Sequence, residues 1–185
     1  MLYNTRMAQK PIIQVPDQIL TTPCDKVRVF GDETKALAQD LVDTLNAAIK
    51  PQGAGLAAPQ IGVTARVCVV RRFFADPAKP SQELHKDYAL VNPKITSESG
   101  EFDIDWEGCL SIPNTYGRVK RSRKIKVMAF DEKGNVIKLK ASGFFARVIQ
   151  HELDHLDGVL FTSKVVGDVM TEEALDKLYE GVPTL

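Results

Sequence analysis

The sequence predicts an α+β fold in which antiparallel β-sheets are gathered around a central helix. Three observations lead there. Apolar residues recur with helical spacing at 33–49 and again at 143–156. The chain between them is dominated by short β-branched or alternating runs. The two kinds of pattern are segregated rather than interleaved, which argues against the strand–helix alternation of a parallel sheet.

The elements follow in order. Residues 1–10 lack a hydrophobic signal core and read as a flexible N-terminal extension, with Pro11–Pro16 a short apolar segment behind it. Over 33–49, Leu37, Leu41, Leu45 and Ile49 recur every four residues on one face. Asp32 is a candidate cap, and Pro51 with Gly53 a stop. Val67-Cys68-Val69-Val70 reads as a buried strand, residues 73–87 as a polar surface loop, and Tyr88–Val91 as a strand closed by Asn92-Pro93. Residues 94–106 and 117–130 alternate as strands do. Asp131–Asn135 is a turn, and Val136–Leu139 its hairpin partner. The periodicity turns helical over 143–156, Gly158 supplies a stop, and Thr171 caps a last short helix to about Tyr179.

Composition narrows the function. A chain of 185 residues suits one domain with a real core. Basic and acidic residues number 24 each, so the basic excess of a nucleic-acid binder is absent and no specific nucleic-acid sequence is expected as partner. A local basic run, Arg118–Lys124, reads as a solvated strand or a docking patch for an anionic partner. No stretch approaches the ~20 apolar residues of a membrane helix, and no membrane partner is expected. Three cysteines, odd and sparse, speak for a reducing compartment rather than a disulfide scaffold.

The chemistry lies in His151-Glu152-Leu153-Asp154-His155, an H-E-x-x-H. On a helix, positions i and i+4 stack, so both imidazoles point one way and can share a metal ion. Glu152 falls beside them, within reach of a water at that ion. The face continues backward through Val148 and Phe144, apolar first and ligating afterwards. The predicted central helix is thus a metal-binding helix carrying H-E-x-x-H. A catalytic site wants a third protein ligand, and Cys109 in Glu107-Gly-Cys109-Leu-Ser is the strongest candidate. A lone cysteine is also commonly a small buried hydrophobe, the reading given to Cys24 and Cys68. His85 reads as a solvated loop residue.

Three blocks together carry a family resemblance. Gly53-Ala-Gly55-Leu-Ala-Ala-Pro-Gln60, Glu107-Gly-Cys109-Leu-Ser111 and Gln150-His151-Glu152-Leu-Asp-His155-Leu-Asp-Gly158 resemble, in order and separation, the three signatures of the peptide deformylases. The resemblance runs through residues 11–165 and implies a single catalytic domain over 1–185. It implies removal of the formyl group from the N-terminal formyl-methionine of newly made polypeptides, with release of formate. It makes Cys109, His151 and His155 the ligands of one divalent metal ion, generally Fe2+, with Zn2+, Ni2+ or Co2+ able to substitute. It makes Glu152 the general acid/base, and the Gln60 amide and Leu110 backbone N–H the oxyanion donors. Gly55 falls where the family's backbone bonds an extended substrate, and Phe144 and Val148 would wall a methionine pocket opposite Gly53 and Ala54. Formyl-methionyl nascent peptides are the implied partners, with room for transient ribosome contact. The implied location is cytoplasmic, or an organellar matrix if a transit peptide was removed.

The chain departs from the family pattern at Ala54, often a larger aliphatic residue, and at Tyr116, arginine in some bacterial relatives. It departs again in a short C-terminal tail, and at Arg147, a position often apolar, whose stem is expected along a surface. The alternatives are a zincin-like metallopeptidase, which shares H-E-x-x-H, and a structural metal-binding or ribosome-associated module.

Overall fold

A computed structural model describes residues 9–49 and 52–180. Helix α1 spans Asp32–Ala47 and is followed by seven strands: β1 Gly55–Ala57, β2 Val67–Ala75, β3 Glu83–Glu98, β4 Phe102–Cys109, β5 Ile112–Ser122, β6 Lys124–Phe130 and β7 Val136–Ser142. Helix α2, Gly143–Leu156, and helix α3, Glu172–Tyr179, close the order. Five strands form one antiparallel sheet in the order β1-β2-β3-β6-β7, and β4 pairs only with β5 as a separate ribbon.

Side-chain alternation along β2 explains the layering. Val67 and Val69 point to one face and pack with Leu41 and Leu45 of α1. Cys68 and Val70 point to the other and pack with Ile149, Leu153 and Leu156 of α2. With both faces covered, every residue from Val67 to Arg71 is buried, which is why the run is continuously apolar up to that arginine. Arg71 is matched by a bidentate Asp87 at 2.7 Å and by Asn46 of α1 at 2.6 Å. The ribbon lies on the far side of α2, where Ile112 and Val119 meet Phe161. Helix α2 is therefore enclosed between sheet and ribbon.

Several elements differ from the sequence reading. Gly31, not Asp32, holds the cap position of α1, and it makes no side-chain bond. Asp32 and Glu33 lie in the first turn, where the helix dipole favours them. Ile49 lies past the helix end and is 74% exposed, so the apolar face stops at Leu45. Pro51 lies outside the described residues, as do residues 1–8 of the expected extension. Lys10 is no free tail residue: its N–H donates to Thr44 Oγ1 at 3.0 Å and its ammonium pairs with Asp40.

The expected loop at 73–87 is mostly strand. Phe73 to Ala75 pair with His85 to Glu83, leaving only residues 76–82 as the connection. An exposed two-stranded arm satisfies its backbone bonds in the ladder and needs no apolar alternation. His85 accordingly sits on a strand, edge-on to Phe73. Strand β3 also runs through Asn92-Pro93 instead of ending there. Asn92 takes a φ of 50° inside a register shift. Its amide bonds both the N–H and the C=O of Val27, at 2.9 and 2.8 Å. The pair reads as a terminator because its bulge looks like a turn in sequence. The 131–135 turn, the β6–β7 hairpin, α2 and the Thr171 cap form as expected, the cap through Ala174 N–H at 3.2 Å.

Candidate active site

Two elements converge from opposite directions. On α2, His151 and His155 sit one turn apart with ring centroids 4.9 Å from each other. From the ribbon, a register shift between Gly108 and Cys109 bends the end of β4 toward the helix. The bend brings Cys109 Sγ to 3.2 Å from His155 Nε2. The ligand atoms of Cys109, His151 and His155 all lie within 4.8 Å of one another. Two imidazoles and one thiol make a donor set suited to a divalent transition metal, and three protein ligands leave a further position free. Glu152 Oε2, beside these ligand atoms, is buried without a hydrogen-bond partner among the described residues, which leaves it for a group bound in the site; His155 Nδ1 is also unpartnered, but on the ring edge away from Cys109.

Electrostatics separates the histidines. Burial holds His155 well below the usual imidazole range, which keeps it neutral. Burial would also depress His151, but the neighbouring Cys109 and Glu107 outweigh it and push it up to about 10. Burial likewise drives Glu152 upward, only partly opposed by the His151 charge, to about 7. Such a carboxyl can both take and release a proton near neutrality.

His151 is oriented by a network that the sequence reading does not contain. Its Nδ1 lies 3.0 Å from Glu107 Oε2, which turns Nε2 toward the cysteine. Arg121 grips the same carboxylate with two bonds of 2.8 Å and reaches Asp154 at 2.5 Å. Arg147 adds a 2.9 Å bond to Glu107 Oε1. Burial alone would raise the Glu107 carboxyl, but Arg121 and His151 hold it far below the usual carboxylate range. Arg147 is also a correction, for it is 5% exposed rather than laid along a surface. It lies one turn before His151, and the carboxylate that matches its charge is 40 positions away, so no local pattern marks it as buried.

A cleft of about 630 Å³ opens over the site. Cys109, His151, Glu152, Gln60 and Leu110 line it together with Gly55, and His155 closes the back of the site at 1% exposure. Gln60 sits on a tight turn after β1. Its Oε1 accepts from Ala57 N–H at 2.8 Å, which aims its NH2 at Ser111 Oγ, 3.1 Å away, and toward Cys109 Sγ at 3.6 Å. Leu110 stands in the turn joining β4 to β5. Gly55 belongs to β1, the edge strand of the sheet. Ala54 C=O bonds Arg71 N–H across to β2, so strand alternation turns the polar groups of Gly55 to the open edge. A side chain at Gly55 would overlap the Glu152 carboxylate.

Ala54, Phe144 and Val148 border the same cleft. Val148 is 6% exposed and forms wall, whereas Phe144 is 58% exposed and forms rim, tilted against Phe73. A second cavity of about 600 Å³ lies beyond Phe144, bordered by Arg72, Lys140 and Phe145, and holds no ligating cluster among the described residues. Asp154 is turned from the site, held by Arg121 and Lys164.

The chain has recognisable relatives among known proteins. The model of the polypeptide deformylase family matches residues 9–169. Peptide deformylase 1 of Bacillus subtilis is 43% identical over 173 residues, covering 92% of this chain and 98% of that protein. The peptide deformylase of Thermomicrobium roseum is 44% identical over 161 residues, with 86% and 87% covered. Among solved structures, a Met-Ala-Ser-bound class I type b peptide deformylase from Acinetobacter baumannii is similar at a TM-score of 0.74. It is 31% identical and covers 86% of this chain and 99% of its own. An actinonin complex of a peptide deformylase from Synechococcus elongatus has a TM-score of 0.73 and 32% identity over 97% and 90% of the two chains.

Proposed function

The chain belongs to the polypeptide deformylase family, and from that premise we propose that the cleft between α2, the ribbon and β1 is its active site. The enzyme is a hydrolase that removes the formyl group from the N-terminal formyl-methionine of newly made polypeptides and releases formate. Cys109, His151 and His155 hold one divalent ion, Fe2+ in the native enzyme, with Zn2+, Ni2+ or Co2+ as substitutes. Such an ion supplies Lewis acidity, acidifying water and polarising a carbonyl. The remaining work falls to side chains. Water's oxygen joins the formyl carbon and the carbon–nitrogen bond breaks. Glu152 takes the water proton and delivers it to the leaving amine nitrogen. The Gln60 amide and the Leu110 N–H receive the charge that develops on the formyl oxygen, where losing one such donor costs about 2.7–4 kcal/mol of barrier.

The substrate enters as an extended strand. Gly55 offers its backbone at the free edge of β1, the arrangement by which sheet edges take up peptides. The methionine side chain lies against Val148 and Ala54, with Phe144 at the rim. We take the chain to work as one catalytic unit where polypeptides are made, in the cytoplasm or an organellar matrix. The exposed Arg118, Lys120 and Arg123 are available for transient ribosome contact. Among the described residues no helix is long and apolar enough to cross a membrane.

The single observation that carries this reading is the convergence of Cys109 Sγ and the histidine pair beside the buried Glu152 carboxyl. An anaerobic assay tests it: formyl-Met-Ala-Ser is expected to release formate while casein stays intact. Casein cleavage would favour the zincin-like alternative. Cys109→Ala is expected to lose both metal and activity. A variant with full metal stoichiometry and turnover would overturn the ligand assignment.

A further inference from the structure

Arg147 is the one charged side chain that α2 sends into the ribbon from the turn preceding His151. Its guanidinium makes contacts of three kinds. Nη1 donates to Glu107 Oε1 at 2.9 Å and to Val119 C=O of β5 at 2.8 Å, with a longer 3.4 Å approach to Asp105 C=O of β4. Nη2 donates to Asp103 C=O of β4 at 3.2 Å. One buried head group thus holds both strands of the ribbon and the carboxylate that orients a histidine.

The sharing at Glu107 shows what would change without it. Oε1 accepts from Arg121 and Arg147, while Oε2 faces Arg121 and His151. Arg121 belongs to β5 and reaches α2 through a different carboxylate, Asp154, in the turn after His151. His151 and Arg147 belong to α2. Arg147 is therefore the one bond from α2 to the Glu107 carboxylate besides that of His151 itself, and it adds to the Arg121–Asp154 and Gln150–Ser122 bonds that also join helix and ribbon. It also adds a second guanidinium at Glu107, whereas Asp154 is paired by Arg121 and Lys164. A buried carboxylate left with one cation would lean more heavily on its remaining partners.

We propose that Arg147 is a positioning residue for the metal centre: through Glu107 and the β4 and β5 carbonyls it sets the spacing between Cys109 on the ribbon and His151 and His155 on the helix. The cysteine and the histidines reach the site on separate elements, so their mutual distance depends on how helix and ribbon are docked. Apolar packing fixes such docking loosely, because it has no direction. A planar guanidinium with several acceptors fixes it in angle as well as distance.

This rests on the assignment of Cys109, His151 and His155 as ligands, and its test separates the two. Metal-free protein is titrated anaerobically with Co2+ at a temperature where every variant is folded. Affinity is read by chelator competition, and geometry by the visible ligand-field and thiolate charge-transfer bands. Wild type is expected to show a thiolate band that Cys109→Ser loses; its absence from wild type would overturn the ligand assignment itself. With that band present, Arg147→Met is expected to bind Co2+ about 10–100-fold more weakly, the usual effect of losing a group that orients a ligand. Its bands are expected to shift, and Arg147→Lys, which keeps charge but not the fork, to fall between. In a Glu107→Gln background, Arg147→Met is expected to cost less than it does in wild type. Should Arg147→Met not fold, Arg147→Lys carries the same comparison. A variant with a lowered Tm in the metal-free form but wild-type Co2+ affinity and bands would make Arg147 a merely structural residue and overturn the proposal.

Discussion

The two sides of helix α2 are held by different forces. Toward the sheet it presents Ala146, Ile149, Leu153 and Leu156, buried against Cys68, Val70, Leu90 and Val127. Toward the ribbon it presents Arg147, Gln150 and Asp154, all hydrogen-bonded, beside His151. The first contact is non-directional and scales with the apolar area removed from water. The second is directional and yields little net stability, because desolvating charges offsets most of their attraction. On the proposed reading the difference divides labour: the sheet side keeps the helix folded and the ribbon side keeps the proposed metal ligands aimed. Glu152 sits between, against Gly55 of the sheet edge, and on the proposed reading serves the chemistry rather than either contact.

The largest expected effect tests that last assignment. Glu152→Gln is nearly isosteric and removes only the ability to move a proton. It is expected to keep the metal, measured per chain, and to lose about 10²–10⁴-fold in kcat. Loss of metal would make Glu152 a ligand, and near-normal kcat would remove it from the reaction.

A matched pair then tests the division itself. Leu153→Ala opens a cavity on the sheet side and is expected to lower unfolding free energy by about 2–5 kcal/mol. Metal affinity of the folded protein is expected to stay near wild type. Glu107→Ala leaves Arg121 and Arg147 facing no common carboxylate, which for a buried pair costs about 3–5 kcal/mol. It is also expected to weaken metal binding by about 10–100-fold. The stabilities overlap, so metal affinity discriminates. Equal affinities in the two variants would erase the distinction between the sides.

The same contrast explains what is legible in the sequence. The sheet side can be read directly: Val67–Val70 and the α2 periodicity are local patterns, and local patterns survive in one dimension. So are the turn at Asp131–Asn135 and the Thr171 cap, whose bonds close within a few residues. The ribbon side cannot be read that way. Glu107 and Arg147 lie 40 positions apart, and nothing local says that a charge is buried until its partner is found. In sequence Arg147 therefore reads as a surface residue. The arm at 73–87 misleads for the opposite reason, since its strands are exposed and its composition is that of a loop. Motif spacing points to the histidine pair and Glu152, and family resemblance supplies Gln60, Leu110 and Gly55. Why position 55 lacks a side chain is clear only beside the Glu152 carboxylate.

The smallest expected effect concerns Val148, which belongs to both sides. It packs in the sheet-side core and also borders the cleft. If its packing role dominates, enlarging it disturbs stability and treats every substrate alike. If it walls the methionine pocket, enlarging it narrows the space for a long side chain and spares a short one. Val148→Phe separates these, with kcat/KM compared for formyl-Met and formyl-Ala peptides in folded, metal-loaded protein. A side-chain contact of one methylene is worth about 1–3 kcal/mol of discrimination, so the ratio is expected to fall about 10–200-fold against formyl-Met. Phe144 provides the internal control. It is a rim residue at 58% exposure, so Phe144→Leu is expected to move the ratio far less. An unchanged ratio in Val148→Phe would return Val148 to the core, and the pocket wall would then have to be sought on the Gly53–Ala54 side of the cleft.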